Sequence, residues 1–138
     1  MVGIILIGQS NSGKSAMGKA VAEKLDIRYI SSGDIARNMS GIQDRLNSGK
    51  MAPESEMRWA IFKEITSSEE SYILDGFPRF EEQNNWLVNI LEWWYDHSMS
   101  HIQHKLTYVY IDVTEDDIIS RAKSRGRSDD KSIKKKMK

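Results

Sequence analysis

The chain contains no cysteine. That absence excludes disulfides and thiolate zinc sites, and it fits a reducing, cytoplasmic setting. A long hydrophobic run is also missing. The N-terminal apolar stretch Val2 to Ile7 is too short for a signal peptide or a membrane span, and no basic segment precedes it. No membrane association is expected. Net charge is zero, with twenty Lys/Arg against twenty Asp/Glu, but it is unevenly spread. Residues 121–138 hold nine Lys/Arg and two Asp, and the preceding 120 residues carry the compensating excess of acid. Such a basic end reads either as a solvated helix or nucleic-acid tail, or as cations that close over bound phosphates. The tail has no aromatic residue to stack a base, which argues against nucleic acid as the main partner. A length of 138 residues with 39% hydrophobic and 29% charged content fits one soluble domain with a respectable core.

What is present begins at the N-terminus. The branched, apolar run Val2 to Ile7 predicts a strand buried on both faces. Gly8-Gln-Ser-Asn-Ser-Gly13-Lys14-Ser15 then matches the phosphate-loop pattern G-x-x-x-x-G-K-[ST]. Glycines let the backbone turn so that its N–H groups face a polyphosphate. Lys14 can reach the outer phosphates and Ser15 can bind Mg²⁺. A helix from Ala16 to Leu25 would point its positive end at the same phosphates.

Strands and helices alternate onward. Arg28 to Ile30 reads as a second strand, followed by the turn Ser31-Ser-Gly-Asp34 and a helix carrying Ile35, Ala36 and Arg37. Pro53 is expected at the first position of a helix whose Met57, Ile61 and Ile65 share a face. Ser71 to Asp75 predicts a third strand, broken by Gly76-Phe-Pro78, and a helix follows with Gln83, Leu87, Leu91 and three tryptophans. Core packing is expected of Trp86, Trp93 and Trp94. His97, His101 and His104 are read as part of a solvated connector rather than a metal site. Leu106 to Asp112 predicts a fourth strand, with Thr114 as N-cap of the last helix. The fold class is therefore α/β: a mainly parallel sheet of four strands covered on both faces. Ligands of such sheets bind beyond the carboxyl ends of the strands, where Gly8, Ser32, Asp75 and Asp112 fall.

Tyr72-Ile-Leu-Asp75-Gly-Phe-Pro-Arg79 resembles the signature of adenylate kinases and the other nucleoside monophosphate kinases. Ser31-Ser-Gly-Asp34-Ile-Ala-Arg37 is similar to the family's motif after its second strand, and Ser124-Arg-Gly-Arg127-Ser-Asp-Asp130 resembles a short lid. With the phosphate loop, four motifs stand in family order over one domain, residues 1–138. The resemblance implies a P-loop three-layer α/β/α fold. About 31–66 would bind the acceptor, and about 121–130 would form the lid. It implies transfer of a phosphoryl group from MgATP to a nucleoside monophosphate, AMP by default, with Mg²⁺ as cofactor. Gly8, Asn11, Ser12, Gly13, Lys14, Ser15 and Ala16 would hold ATP, and Arg121 would stack on its base. Ser32, Arg37, Gly76, Arg79 and Gln83 would bind the acceptor, the arginines on its phosphate and Gln83 on its base. Lys14, Arg79, Arg125 and Arg127 would act on the transferring phosphates. Ser15 would ligate Mg²⁺, and Asp34 and Asp75 would hold waters of its shell.

The chain departs from the family in five places. Its loop has Gln9-Ser-Asn-Ser where a proline and another glycine are usual; the acceptor segment after Arg37 is abbreviated; and one residue, Gly126, separates the lid arginines. A downstream arginine of the family has Lys136 as its nearest counterpart. The fifth departure is length. Four strands are expected where the family has a fifth, so an exposed strand edge would favour homo-oligomers. The rival readings are a nucleotide-binding homologue without turnover and a phosphate-loop kinase of another small metabolite.

Overall fold

The computed structural model describes residues 1–9, 12–39, 47–50 and 53–125. Among these the order is β1 (Val2–Ile7), α1 (Lys14–Leu25), β2 (Arg28–Ser31), α2 (Ser32–Asn38), α3 (Glu54–Thr66), β3 (Tyr72–Asp75), α4 (Glu81–His97), β4 (Lys105–Tyr110) and α5 (Glu115–Arg125). The four strands form one all-parallel sheet in the order β2-β3-β1-β4. Parallel neighbours cannot be joined by tight turns, so helices carry the chain back across the faces. The result is the expected three-layer α/β arrangement. Pro53 sits one position outside α3, at its N-cap. Thr114 caps α5 as predicted, accepting from the Asp117 N–H at 3.2 Å.

Side-chain alternation assigns each face. Ile5, Ile30, Tyr72 and Leu74 turn to the side covered by α3 and α4, where they meet Ile61, Ile65, Phe77, Leu87 and Leu91 in the main core. Each such side chain contributes about 1.5–3 kcal/mol by leaving water. Leu6 and Ile73 turn the other way and pack with Ala22 of α1, flanked by Ile4, Ile27 and Tyr29. Gly18 lets α1 approach closely, because a Cβ there would stand 2.7 Å from Leu6 Cδ1. Arg28 ties the far end together by donating to the carbonyls of Glu64, Ile65 and Glu70 at 2.8–3.0 Å. Thus the end of α3 and the turn before β3 are anchored to β2.

Two expectations need amendment. Of the three tryptophans, Trp86 packs against the main core, but Trp93 is 55% exposed and stacks on His97 instead. The aromatic cluster runs through Trp59, which meets both Phe62 and Trp86 edge-on. The histidines also diverge in role. His104 is no solvated connector: its ring stacks on Tyr95 at 4.7 Å and on Tyr72 at 5.8 Å, and its Nε2 lies 2.9 Å from the Tyr72 hydroxyl.

Burial, helped by the N-terminal ammonium, pushes the His104 imidazole down to about 4. Folded protein therefore keeps it neutral between pH 6.5 and 4, where the unfolded chain takes up a proton. That contribution to stability is complete above pH 6.5 and is lost as pH falls toward 4. The melting temperature is expected to drop between pH 7 and 5, and His104→Phe to flatten that slope. An equal slope in the variant would refute this origin.

β4 pairs with β1 on one side, and among the described residues no strand lies on its other side. Tyr108, Val109 and Tyr110 are 44%, 39% and 65% exposed there. No helix among the described residues is long and apolar enough to cross a membrane.

Candidate functional site

All four strands point their carboxyl ends to one edge, and the polar residues singled out above gather there. β1 ends at Ile7 and the chain turns at Gly8, where a Cβ would come 2.9 Å from Ser12 Oγ and 3.1 Å from the Ile111 carbonyl. The loop closes with the Ser12 N–H on the Gln9 carbonyl at 3.1 Å. Gly13 then adopts φ +87°, a conformation that favours glycine, and α1 begins at Lys14. No side chain caps α1 and no acid sits in its first turn. By contrast, α3 and α4 open with Glu54 and Glu56, and with Glu81 and Glu82. The uncapped N–H groups of α1 thus remain for an anion.

Asp75 is the focus. It ends β3, lies 3% exposed, and is level with Leu6 of β1 and Ser31 of β2. Its Oδ2 accepts from the Ser15 hydroxyl at 2.6 Å and from the Tyr29 hydroxyl. Its Oδ1 has no hydrogen bond and stands 3.6 Å from Lys14 Nζ. Buried polar atoms rarely go without a partner. Two of them, Asp75 Oδ1 and Ser12 Oγ, do so here at the phosphate loop. A hard, oxygen-seeking cation suits a carboxylate oxygen beside a serine hydroxyl, so these residues fit Mg²⁺. Burial, and then the hydrogen bond to Asp75, push the Tyr29 phenol well above its usual range, so it stays protonated as a donor.

The residues that the resemblance assigns to the acceptor lie next to this centre. Gly76 takes φ +89°, and a Cβ there would collide with Ser32 Oγ. Ser32 is itself buried at the start of α2. The Arg79 side chain is held by Nε donating to the Gly76 carbonyl at 3.0 Å, and its backbone N–H donates to Gln83 Oε1 at 2.7 Å. The Phe77–Pro78 peptide between them is cis. Buried Gln83 therefore spends its carbonyl on the backbone and keeps its NH₂ for another partner. The exposed side chains of Asp34 and Arg37 pair with each other on α2, with Ser31 Oγ accepting the Asp34 N–H at 3.2 Å. Gly76→Ala is expected to destabilise the fold by at least about 1 kcal/mol, since both φ and the Ser32 contact oppose a methyl group. Chemical denaturation measures this, and unchanged stability would contradict the tight turn.

The structure thus brings Gly8, Ser12, Gly13, Lys14, Ser15 and Ala16 together with Asp75, and Ser32, Gly76, Arg79 and Gln83 with one another. Arg121 and Arg125 are on α5, but their side chains lie outside the described residues, as do Asn11 and Arg127. Tyr29 was missed by sequence reasoning. A tyrosine in a strand reads as a strand former, and only the register with β3 puts it on Asp75.

Comparison with known proteins agrees with this geometry. A family described as "AAA domain" matches residues 7–136. The adenylate kinase of Encephalitozoon cuniculi is 32% identical over 137 residues, covering 92% of this chain and 69% of that protein. That of Corynebacterium glutamicum strain R is 30% identical over 137 residues, covering 92% and 72%. For the adenylate kinase of Thermococcus sibiricus the figures are 31% over 130 residues, 88% and 55%. These relatives support a phosphate-loop nucleotide kinase, and the chain is short beside them. On both the loop-centred fold and this similarity, the chain belongs to the adenylate kinase family of phosphate-loop proteins.

Proposed function

We propose that this protein transfers the terminal phosphoryl group of MgATP to a nucleoside monophosphate, with AMP the first acceptor to test. The observation that carries the reading is buried Asp75 at the end of β3, with Lys14 and Ser15 of the phosphate loop upon it, one residue from the turn that leads to Arg79. Relatives named adenylate kinase support the choice of acceptor.

The chain's own residues supply positioning and charge. Loop N–H groups and Lys14 hold the polyphosphate of the donor. Arg79, and Arg37 once released from Asp34, grip the acceptor phosphate as paired donors, a geometry that lysine lacks. Gln83 offers its NH₂ toward the acceptor base. By the resemblance, Arg125 and Arg127 would contact the transferring phosphates and help exclude water. Held by Ser15, and through waters by Asp75 and Asp34, Mg²⁺ would neutralise charge on the donor phosphates. No general base is required, because the acceptor oxygen already belongs to a phosphate anion. A cytoplasmic setting matches both substrates. The β4 edge, which has no strand on its outer side among the described residues, is the surface through which copies would associate.

The test is ADP formation from MgATP against AMP, UMP, CMP, GMP and dTMP, with a control lacking acceptor. Turnover with one monophosphate is expected. ATP binding without turnover on any acceptor would replace this reading by that of a binding-only homologue.

A further inference from the structure

Lys14 and Ser15 both have work to do at a bound nucleotide. The third group on Asp75 does not. Tyr29 lies on β2 beneath α1, paired with Ile73, while Ser31 of the same strand pairs with Asp75. Residues two apart along a strand share a face, so Tyr29 and Asp75 both look toward α1. The ring has room because residue 18 is glycine: a Cβ there would stand 2.9 Å from Tyr29 Cε2. Lys19 Nζ is 5.8 Å from the ring centroid, on the outer side of the same helix. The hydroxyl reaches Asp75 Oδ2, leaving Oδ1 beside Lys14 without a hydrogen bond.

We infer that Tyr29 is a positioning residue: it holds one oxygen of Asp75 so that the other stays turned to the phosphate loop, where a nucleotide-bound divalent cation is met. This rests on the reading of Asp75 as the cation-side carboxylate. A buried carboxylate with one donor fewer is free to rotate and to keep Ser15 for itself. The partner that orients a metal-side group commonly governs metal affinity by tenfold or more. Tyr29 lies under α1 with its hydroxyl on Asp75 Oδ2, so its effect on nucleotide affinity is expected through Asp75, in the part that the cation adds.

The test is calorimetric titration of the full chain with ATP, in excess Mg²⁺ and in EDTA, which gives the enhancement due to Mg²⁺. Tyr29→Phe keeps the ring under Gly18 and removes only the hydroxyl. It is expected to cut the enhancement by about tenfold, with affinity in EDTA unchanged. Asp75→Asn is expected to remove the enhancement, and the double variant to lose no more than Asp75→Asn does. If Asp75→Asn loses the enhancement and Tyr29→Phe keeps it in full, the positioning role is overturned and the cation site stands. If Asp75→Asn also keeps it, the reading of Asp75 fails and the role of Tyr29 falls with it. Equal losses in EDTA and in Mg²⁺ would make Tyr29 a packing residue only.

Discussion

Lys14→Met is expected to lower ADP formation by about 10²–10³-fold, the loss typical of removing one charge-stabilising donor from a reacting centre. The side chain is 17% exposed and its ammonium lies at the mouth of the uncapped α1 terminus. Methionine is one atom shorter and keeps an apolar stem, but brings no charge to the transferring phosphoryl group. Stability should change much less. Asp75 keeps its two hydroxyl donors, Ser15 and Tyr29, and the lost ion pair is a long one at 3.6 Å. Turnover and a melting curve on the same preparation decide the matter. Unchanged turnover in folded Lys14→Met would remove the phosphate loop from the reaction.

Arg79→Ala should act on the other substrate. The guanidinium is pinned by the Gly76 carbonyl at 3.0 Å, which fixes its stem while leaving donors free for an acceptor phosphate. Truncating one partner of a well-placed charge pair costs about 2–5 kcal/mol, roughly thirty- to several-thousand-fold in acceptor kcat/KM. Donor affinity is expected to hold, because the loop and Lys14 are untouched. The fold should also hold, since one exposed hydrogen bond is worth about 1 kcal/mol. Loss of ATP affinity with unchanged acceptor kcat/KM would mean that the two nucleotide sites are interchanged.

The two variants draw on different kinds of legibility. Lys14 could be assigned from a contiguous pattern, because strand, turn and helix are adjacent in the chain and each reports through its own residues. The same holds for Thr114 as a cap, and for the helical spacing that places Ile61 and Ile65 inward. Residues whose partners are remote in sequence were harder to read. Trp93 has the character of a core residue, yet helix phase turns it to solvent and onto His97. His104, in a polar stretch, is carried into an aromatic stack because β4 docks beside β1 and brings its start near Tyr72. Asp34 and Arg37, assigned separate duties by resemblance, pair with each other three residues apart on α2.

By itself, the sequence determined the alternation of strands and helices, the phosphate loop, and the edge on which the polar residues fall. Those properties depend on local periodicity, turn chemistry and the parallel arrangement that βαβ order requires. Only the tertiary structure decided the order β2-β3-β1-β4 and the register that sets Tyr29 beside Asp75. Register depends on how whole faces pack, and a slip of one residue would turn every side chain of a strand to the opposite face. The contacts around Asp75 exist only because three separate segments are held at one level of the sheet.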